Sequence, residues 1–310
     1  MPRREPLVTI GMPVYNGARH LRATLDSLLA QTLGDFELII SDNASTDETE
    51  AICRSYARAD SRIRYHRADV NIGAPGNYRR AFELSSSPYF KWANADDVVA
   101  SEFLERCLPV LSRDAEVGLA YARTQLIDGD GARISEYDDD LRLTSPSPYR
   151  RFRDAMERVG LCNVIYGVVR SDVLRRTRLM GSFMASDRVL VAELALHGRF
   201  HEVPEVLFFR RMHADAYSSQ TDPARLLEFY NPQDTRRVAL FRWRHLQEYA
   251  RAVGRAPLPL RDRVRLWPYL MRTAVWQRRL LARELSVAAK SFVERLFGAA
   301  AGTLRPSSHQ

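Results

Sequence analysis

Phe36-Glu37-Leu38-Ile39-Ile40-Ser41-Asp42-Asn43-Ala44-Ser45-Thr46-Asp47 runs from an apolar stretch into a polar cluster, and Asp47 to Tyr56 then reads as a helix with Ser45 or Thr46 as its cap. A short apolar run rich in β-branched residues and bounded by turn residues is a buried strand. The same succession recurs on both sides. Leu7-Val8-Thr9-Ile10 leads to a helical face of Leu21, Leu25, Leu28 and Leu29. Ile63 to His66 precedes a helix over Pro75 to Leu84, and Tyr89 to Ala93 precedes the face Phe103, Leu104, Cys107, Leu108, Leu111. Strands alternating with helices predict a parallel sheet covered on both sides. In such sheets ligands bind beyond the carboxyl ends of the strands, so the polar clusters after each strand are where chemistry is expected.

The chain has 310 residues, 45% hydrophobic and 27% charged, which excludes disorder and allows a large α/β domain with an appendage. It holds no run of about 18 uncharged apolar residues, so a spanning helix is not expected. Leu7 to Val14 is short and ends at Tyr15-Asn16-Gly17 without a small-residue cleavage site, so it reads as a strand and not a signal peptide. Cys53, Cys107 and Cys162 are far apart and odd in number, as expected of reduced thiols in a cytoplasmic protein. The net charge of +8 is unevenly spread: from Pro223 onward there are 17 basic and 6 acidic residues.

Beyond residue 116 the pattern is less regular. Val117 to Ala122 and Val164 to Val169 read as strands, Asp128 to Gly131 as a turn, Asp187 to His197 as a helix and Val203 to Phe209 as a strand. The expected organisation is a domain over residues 1–222, its nucleotide-binding half about 1–115 and its acceptor half about 116–222, followed by a basic helical extension over 223–310.

Three clusters follow the first, second and fourth strands: Pro13-Val14-Tyr15-Asn16, Asp42 to Asp47, and Asn94-Ala95-Asp96-Asp97. An aromatic ring beside a carboxylate suits a nucleobase, which stacks on the one and donates an N–H to the other. Adjacent acids after a strand suit a hard divalent cation. A nucleotide beside a metal implies a bound diphosphate. Each cluster by itself reads equally well as turn and helix-cap chemistry; the ordered set, each after its own strand, is what points to a site.

The order Val8-x-Ile10-x-x-Pro13-x-Tyr15-Asn16, then Asp42-Asn43-Ala44-Ser45-Thr46-Asp47-x-Thr49, then Asn71-x-Gly73 with Asn77, then Asn94-Ala95-Asp96-Asp97 resembles the family 2 glycosyltransferases of GT-A fold. Weaker resemblance continues through Ser186-Asp187 and Arg210-Arg211-Met212-His213 to Ser218. The resemblance implies a Rossmann-like, mostly parallel sheet flanked by helices, and an inverting transferase that moves a sugar from a nucleotide-diphosphate donor to a hydroxyl of a glycan or lipid-linked acceptor. Pro13, Tyr15 and Asn16 would line the base pocket, with Asp42 accepting from the base and Ser45 beside it. Asn71, Gly73 and Asn77 would lie along the nucleotide. Asn94 and Asp96 occupy the family's Asp-x-Asp positions, with Asp96 a ligand to Mg²⁺ or Mn²⁺ and Asp97 supporting the site. Asp187 would be the general base, and His213 would approach the metal or diphosphate. Asn94 in place of the first Asp removes one negative charge, which predicts weaker metal binding. Ser186 stands where the family has Glu, whereas Asn43 is a common variant.

A sugar nucleotidyltransferase on a related scaffold is the alternative enzyme, but Gly11 to Gly17 carries no Gly-rich basic phosphate loop. A nucleotide-sugar-binding protein without catalysis is the alternative outside enzymes. No GxGxxG follows the first strand, against a dinucleotide oxidoreductase. The extension is rich in Arg and aromatic residues but holds no nucleic-acid-binding module. Arg261, Arg265, Arg272, Arg279 and Arg283 recur at helical spacing, with Val264, Trp267, Met271 and Val275 on another face, and Pro268 is expected to break or restart the helix. Two settings fit: helices packed on the catalytic domain with arginines in solvent, or contact with the inner face of a membrane or a second copy.

Overall fold

The computed structural model describes residues 5–138, 140–213, 229, 230, 232 and 240–302. Strands β1 (Val8–Val14), β2 (Phe36–Asp42), β3 (Ile63–Arg67) and β4 (Tyr89–Trp92) alternate with helices α1 (Ala18–Leu29), α2 (Thr49–Ala59) and α3 (Ala74–Glu83). The two-residue strand β5 (Val98–Val99) and α4 (Phe103–Arg113) follow. Next come β6 (Val117–Ile127), β7 (Arg133–Tyr137), α5 (Pro148–Arg158), a 3₁₀ turn (Asn163–Tyr166), β8 (Val168–Arg170), α6 (Ser171–Arg175), α7 (Ser186–His197) and β9 (Arg199–Arg211). Helices α8 (Phe241–Arg255), α9 (Leu260–Trp276) and α10 (Arg278–Gly302) end the chain.

All nine strands form one sheet in the order β3-β2-β1-β4-β8-β6-β9-β5, with β7 paired to β6. The half built from β1 to β4 is wholly parallel, as the alternation predicts. The other half is mixed: β8 runs antiparallel to β4 and β6, while β9 runs parallel to β6. Along β6, Leu119 and Tyr121 enter one hydrophobic cluster and Ala120 and Ala122 the other, so each cluster occupies one face of the sheet. One cluster gathers β1 and β2 under α1, α2 and α4. The other gathers α5, α7, α8 and α9 over β4 and β6, including Tyr249, Ala252, Leu266 and Leu270 of the extension. All three cysteines are free and buried.

Two buried carboxylates pin the extension. Glu248 of α8 is fully buried and meets Arg178, Arg244 (3.1 Å) and Arg251 (2.9 Å). Glu193 of α7, 1% exposed, takes two bonds from Arg255, 2.9 and 3.1 Å. Removing one partner of such a pair leaves an uncompensated buried charge, a loss of about 3–5 kcal/mol.

Three expectations are corrected. Pro268 does not break its helix: α9 runs from Leu260 through it to Trp276. Proline removes the N–H that would serve the carbonyl four residues back, and Val264 is 61% exposed, so water can serve that carbonyl instead. Val164 to Val169 is a 3₁₀ turn running into a three-residue strand, not one strand, because Tyr166 turns back toward β4. The strand expected at Val203 to Phe209 is longer, Arg199 to Arg211. Ser218 lies outside the described residues. Among the described residues no helix is long and apolar enough to cross a membrane.

Candidate active site

Parallel strands deliver their carboxyl ends to one edge, and the register sets Val14 of β1 against Asp42 of β2. The first two clusters are stapled there. The backbone N–H groups of Asn16, Gly17 and Ala18, at the start of α1, donate to Ser45 Oγ (3.0 Å), Thr49 Oγ1 (3.0 Å) and Asp47 Oδ2 (3.1 Å). The loop after β2 therefore supplies the caps that α1 lacks in its own sequence. In return Asn16 Oδ1 accepts from Thr46 N at 2.8 Å. Asn16 and Ala44 hold the left-handed conformation, φ 49° and 63°, which keeps the loop tight. Tyr15 is left 43% exposed at the tip, free to stack on a ring.

Asp42 lies behind this loop. It is fully buried, its Oδ1 accepting from Ser45 N (2.9 Å) and its Oδ2 from the Tyr65 hydroxyl (2.6 Å). Asn77, 2% exposed, bonds Ser41 Oγ, Ser41 O and Val14 O and ties β1 to β2. Asn71 Oδ1 accepts from Asn43 Nδ2 (2.7 Å) and Gly73 N (2.8 Å). Gly73 must be glycine: its φ is 77°, and a Cβ there would lie 2.8 Å from the carbonyl oxygen of Tyr230.

The third cluster divides its labour. Asp97, 5% exposed, accepts from the backbone N–H of Arg211 at 2.8 Å and from Asn94 Nδ2 at 3.0 Å. Burial, with the Asp96 carboxylate beside it, raises its pKa above the usual carboxylate range. Asn94 faces inward: Nδ2 also donates to the Tyr166 hydroxyl at 2.8 Å, and Oδ1 accepts from the Tyr78 hydroxyl. Asp96, its side chain 31% exposed, points outward, with Oδ2 3.1 Å from His213 Nε2. Arg211 holds this edge by donating to Asp96 O (2.8 Å), Asp128 O and Gly129 O. The His20 ring lies 5.0 Å from that of His213. Burial, then Arg211 and His213, hold the His20 imidazole below its usual pKa.

Asp187 stands in the first turn of α7, behind Ala185 in the left-handed region at φ 52°. The Ala185 N–H donates to the Tyr230 hydroxyl at 2.9 Å. Burial raises the pKa of the Tyr166 hydroxyl, Arg210 opposes it, and the carboxylates of Asp97 and Asp187 add to it. Sequence reasoning missed Tyr65, Tyr78 and Tyr166; nothing in their spacing marks them, since each acts on a residue at least 16 positions away.

An oxygen of Asp96 and a nitrogen of His213 converge on one point, a donor pair that suits Mn²⁺ or Mg²⁺. Among the described residues no group of three or more His, Cys, Asp or Glu gathers.

The architecture is that of the GT-A glycosyltransferases. Staphylococcus aureus TarS in complex with UDP-GlcNAc superposes with a TM-score of 0.63 at 15% identity, over 85% of this chain and 71% of that one. The Pyrobaculum calidifontis mannosyltransferase PcManGT in complex with GDP-Man and Mn²⁺ superposes with a TM-score of 0.54 at 18% identity, over 98% and 83%. The glycosyl transferase family 2 model matches residues 9–174, more than half of the sequence, and the chain belongs to that family. Escherichia coli chondroitin synthase is 31% identical over 134 residues, 43% of this chain and 19% of that protein. In the Rickettsia relatives and chondroitin synthase the matched stretch is 19% to 38% of the relative's length, and in Bacillus subtilis TuaG it is 60%.

Proposed function

We propose that the protein is an inverting, metal-dependent glycosyltransferase that moves a sugar from a nucleotide-diphosphate donor to a hydroxyl of a glycan or lipid-linked acceptor. The observation that carries this is the outward pair Asp96 and His213, 3.1 Å apart, at the strand edge where the exposed ring of Tyr15 emerges. The UDP-GlcNAc and GDP-Man complexes of the structural neighbours support the donor class, and chondroitin synthase supports a glycan acceptor.

The base stacks on Tyr15, with Pro13 and Asn16 in the pocket wall. Asp42, its oxygens committed to Ser45 and Tyr65, serves recognition by fixing the loop on which the base rests. Asn71, Gly73 and Asn77 shape the wall along the nucleotide. Mg²⁺ or Mn²⁺ held by Asp96 and His213 would supply Lewis-acid stabilisation of the charge that builds on the leaving diphosphate. Asp97 and Arg211 keep Asp96 in place. Asp187 takes the proton of the acceptor hydroxyl as its oxygen bonds the anomeric carbon. The bond to the diphosphate breaks and the electron pair leaves with it. One displacement with one base inverts the anomeric centre, and a positioned base contributes roughly 10²–10⁴-fold.

Calorimetry with UDP, GDP and dTDP, with and without Mn²⁺, tests the donor side: one diphosphate should bind, more tightly with metal, and Asp96→Ala should abolish the metal effect. Asp187→Asn should keep that binding and lose about 10²–10⁴-fold in turnover. Full turnover in Asp187→Asn would remove it as the base.

A further inference from the structure

Helix α9 has two apolar faces. One is buried: Leu266, Tyr269 and Leu270 are at most 6% exposed, and Asp262 turns in with them to meet Ser147 Oγ at 3.1 Å. The opposite face is bare. Leu260 is 77% exposed, Val264 61%, Trp267 45%, Met271 65% and Val275 55%. Their spacing keeps them on one side of a helix of about 3.6 residues per turn, a stripe about 22 Å long. Trp276, 85% exposed, ends the helix.

The charge around this stripe has one sign. Seven arginines and one lysine lie between Arg261 and Lys290, all exposed. The two acids of the same stretch are drawn inward: Asp262 is 2% exposed, and Glu284, 19% exposed in its side chain, accepts from Arg242 N. By helical position Arg261, Arg265 and Arg272 flank one edge of the stripe and Arg263 the other. A two-fold contact with a second copy would set these cations against themselves. A nucleic-acid backbone offers nothing to Leu260, Val264 and Met271. An anionic bilayer matches both features: its headgroup boundary accepts the apolar stripe, and its phosphates accept guanidinium forks.

We propose that α9 lies in the plane of an anionic phospholipid surface, with Leu260, Val264, Trp267, Met271 and Val275 in the acyl boundary and the flanking arginines on lipid phosphates. This docking face is independent of the transfer chemistry. The test is flotation of the full chain with vesicles of phosphatidylcholine alone or with about a third phosphatidylglycerol. Wild type should float with the anionic vesicles at least about tenfold more than with the neutral ones, and salt should weaken it. Val264→Glu with Met271→Glu should lower flotation by about tenfold or more. A double Arg265→Gln, Arg272→Gln variant should lose most of the preference for anionic lipid. Both variants should keep the wild-type circular dichroism melt and the wild-type affinity for the nucleoside diphosphate, which separates this proposal from the donor reading. Equal flotation with both lipids overturns it, as do folded variants that float like wild type. A wild-type dimer in light scattering that becomes monomeric in the Glu variant, without flotation, assigns the face to a second copy and also overturns it. Retention on an RNA column without flotation does the same.

Discussion

Replacing Asn94 by Asp restores the residue that the family pattern has at this position, and charge counting alone expects tighter metal binding. The structure predicts the opposite outcome. Asn94 Nδ2 donates to Asp97 Oδ2 at 3.0 Å, and Asp97 is 5% exposed. In Asn94→Asp an oxygen takes the place of that donor. Two carboxylates about 3 Å apart repel by about 5–6 kcal/mol at an effective dielectric constant of about 20. The pair escapes by binding a proton. Holding a carboxyl of ordinary pKa near 3.9 protonated costs about 4 kcal/mol at pH 7 and about 1.5 kcal/mol at pH 5, and these are ceilings on the loss. Asp97, whose pKa is already raised, takes that proton for less than the ceiling, so the variant should be about 1–2 kcal/mol less stable than wild type at pH 7 and close to it at pH 5. The sign follows from the raised folded-state pKa: the penalty is present above the unfolded value and vanishes as pH falls toward it. Urea unfolding at the two pH values measures this, and calorimetry of Mn²⁺ in the presence of the diphosphate measures the ion. Affinity should not rise, because the side chain at 94 faces Tyr78 and Tyr166. Unchanged stability at pH 7, or several-fold tighter Mn²⁺ binding, would refute the inward assignment of Asn94.

Tyr65→Phe removes the 2.6 Å bond to the fully buried Asp42, so urea unfolding should report a loss of about 1.5–3 kcal/mol, with weaker diphosphate binding as the loop loosens. A loss below about 0.5 kcal/mol would count against Asp42 as the anchor of that loop. Lys91 is buried, donates to Trp92 O (3.0 Å) and Tyr166 O (2.7 Å), and has its pKa pushed down to about 8 by burial. The penalty for its buried charge is full below that value and fades as pH rises toward the unfolded value near 10.4. Wild type should therefore gain stability relative to Lys91→Met between about pH 8 and 10.4, read from paired urea midpoints; a flat difference would refute it.

The parallel half of the fold was legible because each of its strands is an apolar run ended by a polar cluster and followed by a helical stripe. Those clusters do gather at one sheet edge, stapled by Asn16, Ser45, Thr46 and Asp47. What stayed hidden is the direction in which each polar side chain turns. Asp96 and Asp97 are neighbours in sequence, yet one reaches His213 and the other is locked to the Arg211 N–H, 114 residues away. Asp42 reads as the acceptor of a base N–H, and the sequence does not show that Tyr65, arriving from the next strand, bonds it. The path of α9 through Pro268 was equally unreadable, because local chemistry predicts a break and only the solvent beside Val264 permits continuation.

Tyr230 meets two distant stretches of the chain at once. Its carbonyl oxygen fills the space that a side chain at Gly73 would need, and its hydroxyl receives the Ala185 N–H just ahead of Asp187. The loop that carries Gly73 and the start of the helix that carries Asp187 are thereby gauged against a single residue. Grafting a tail from another member of the family would carry a new gauge with it, and the transplant would shift the start of that helix without changing any residue on it.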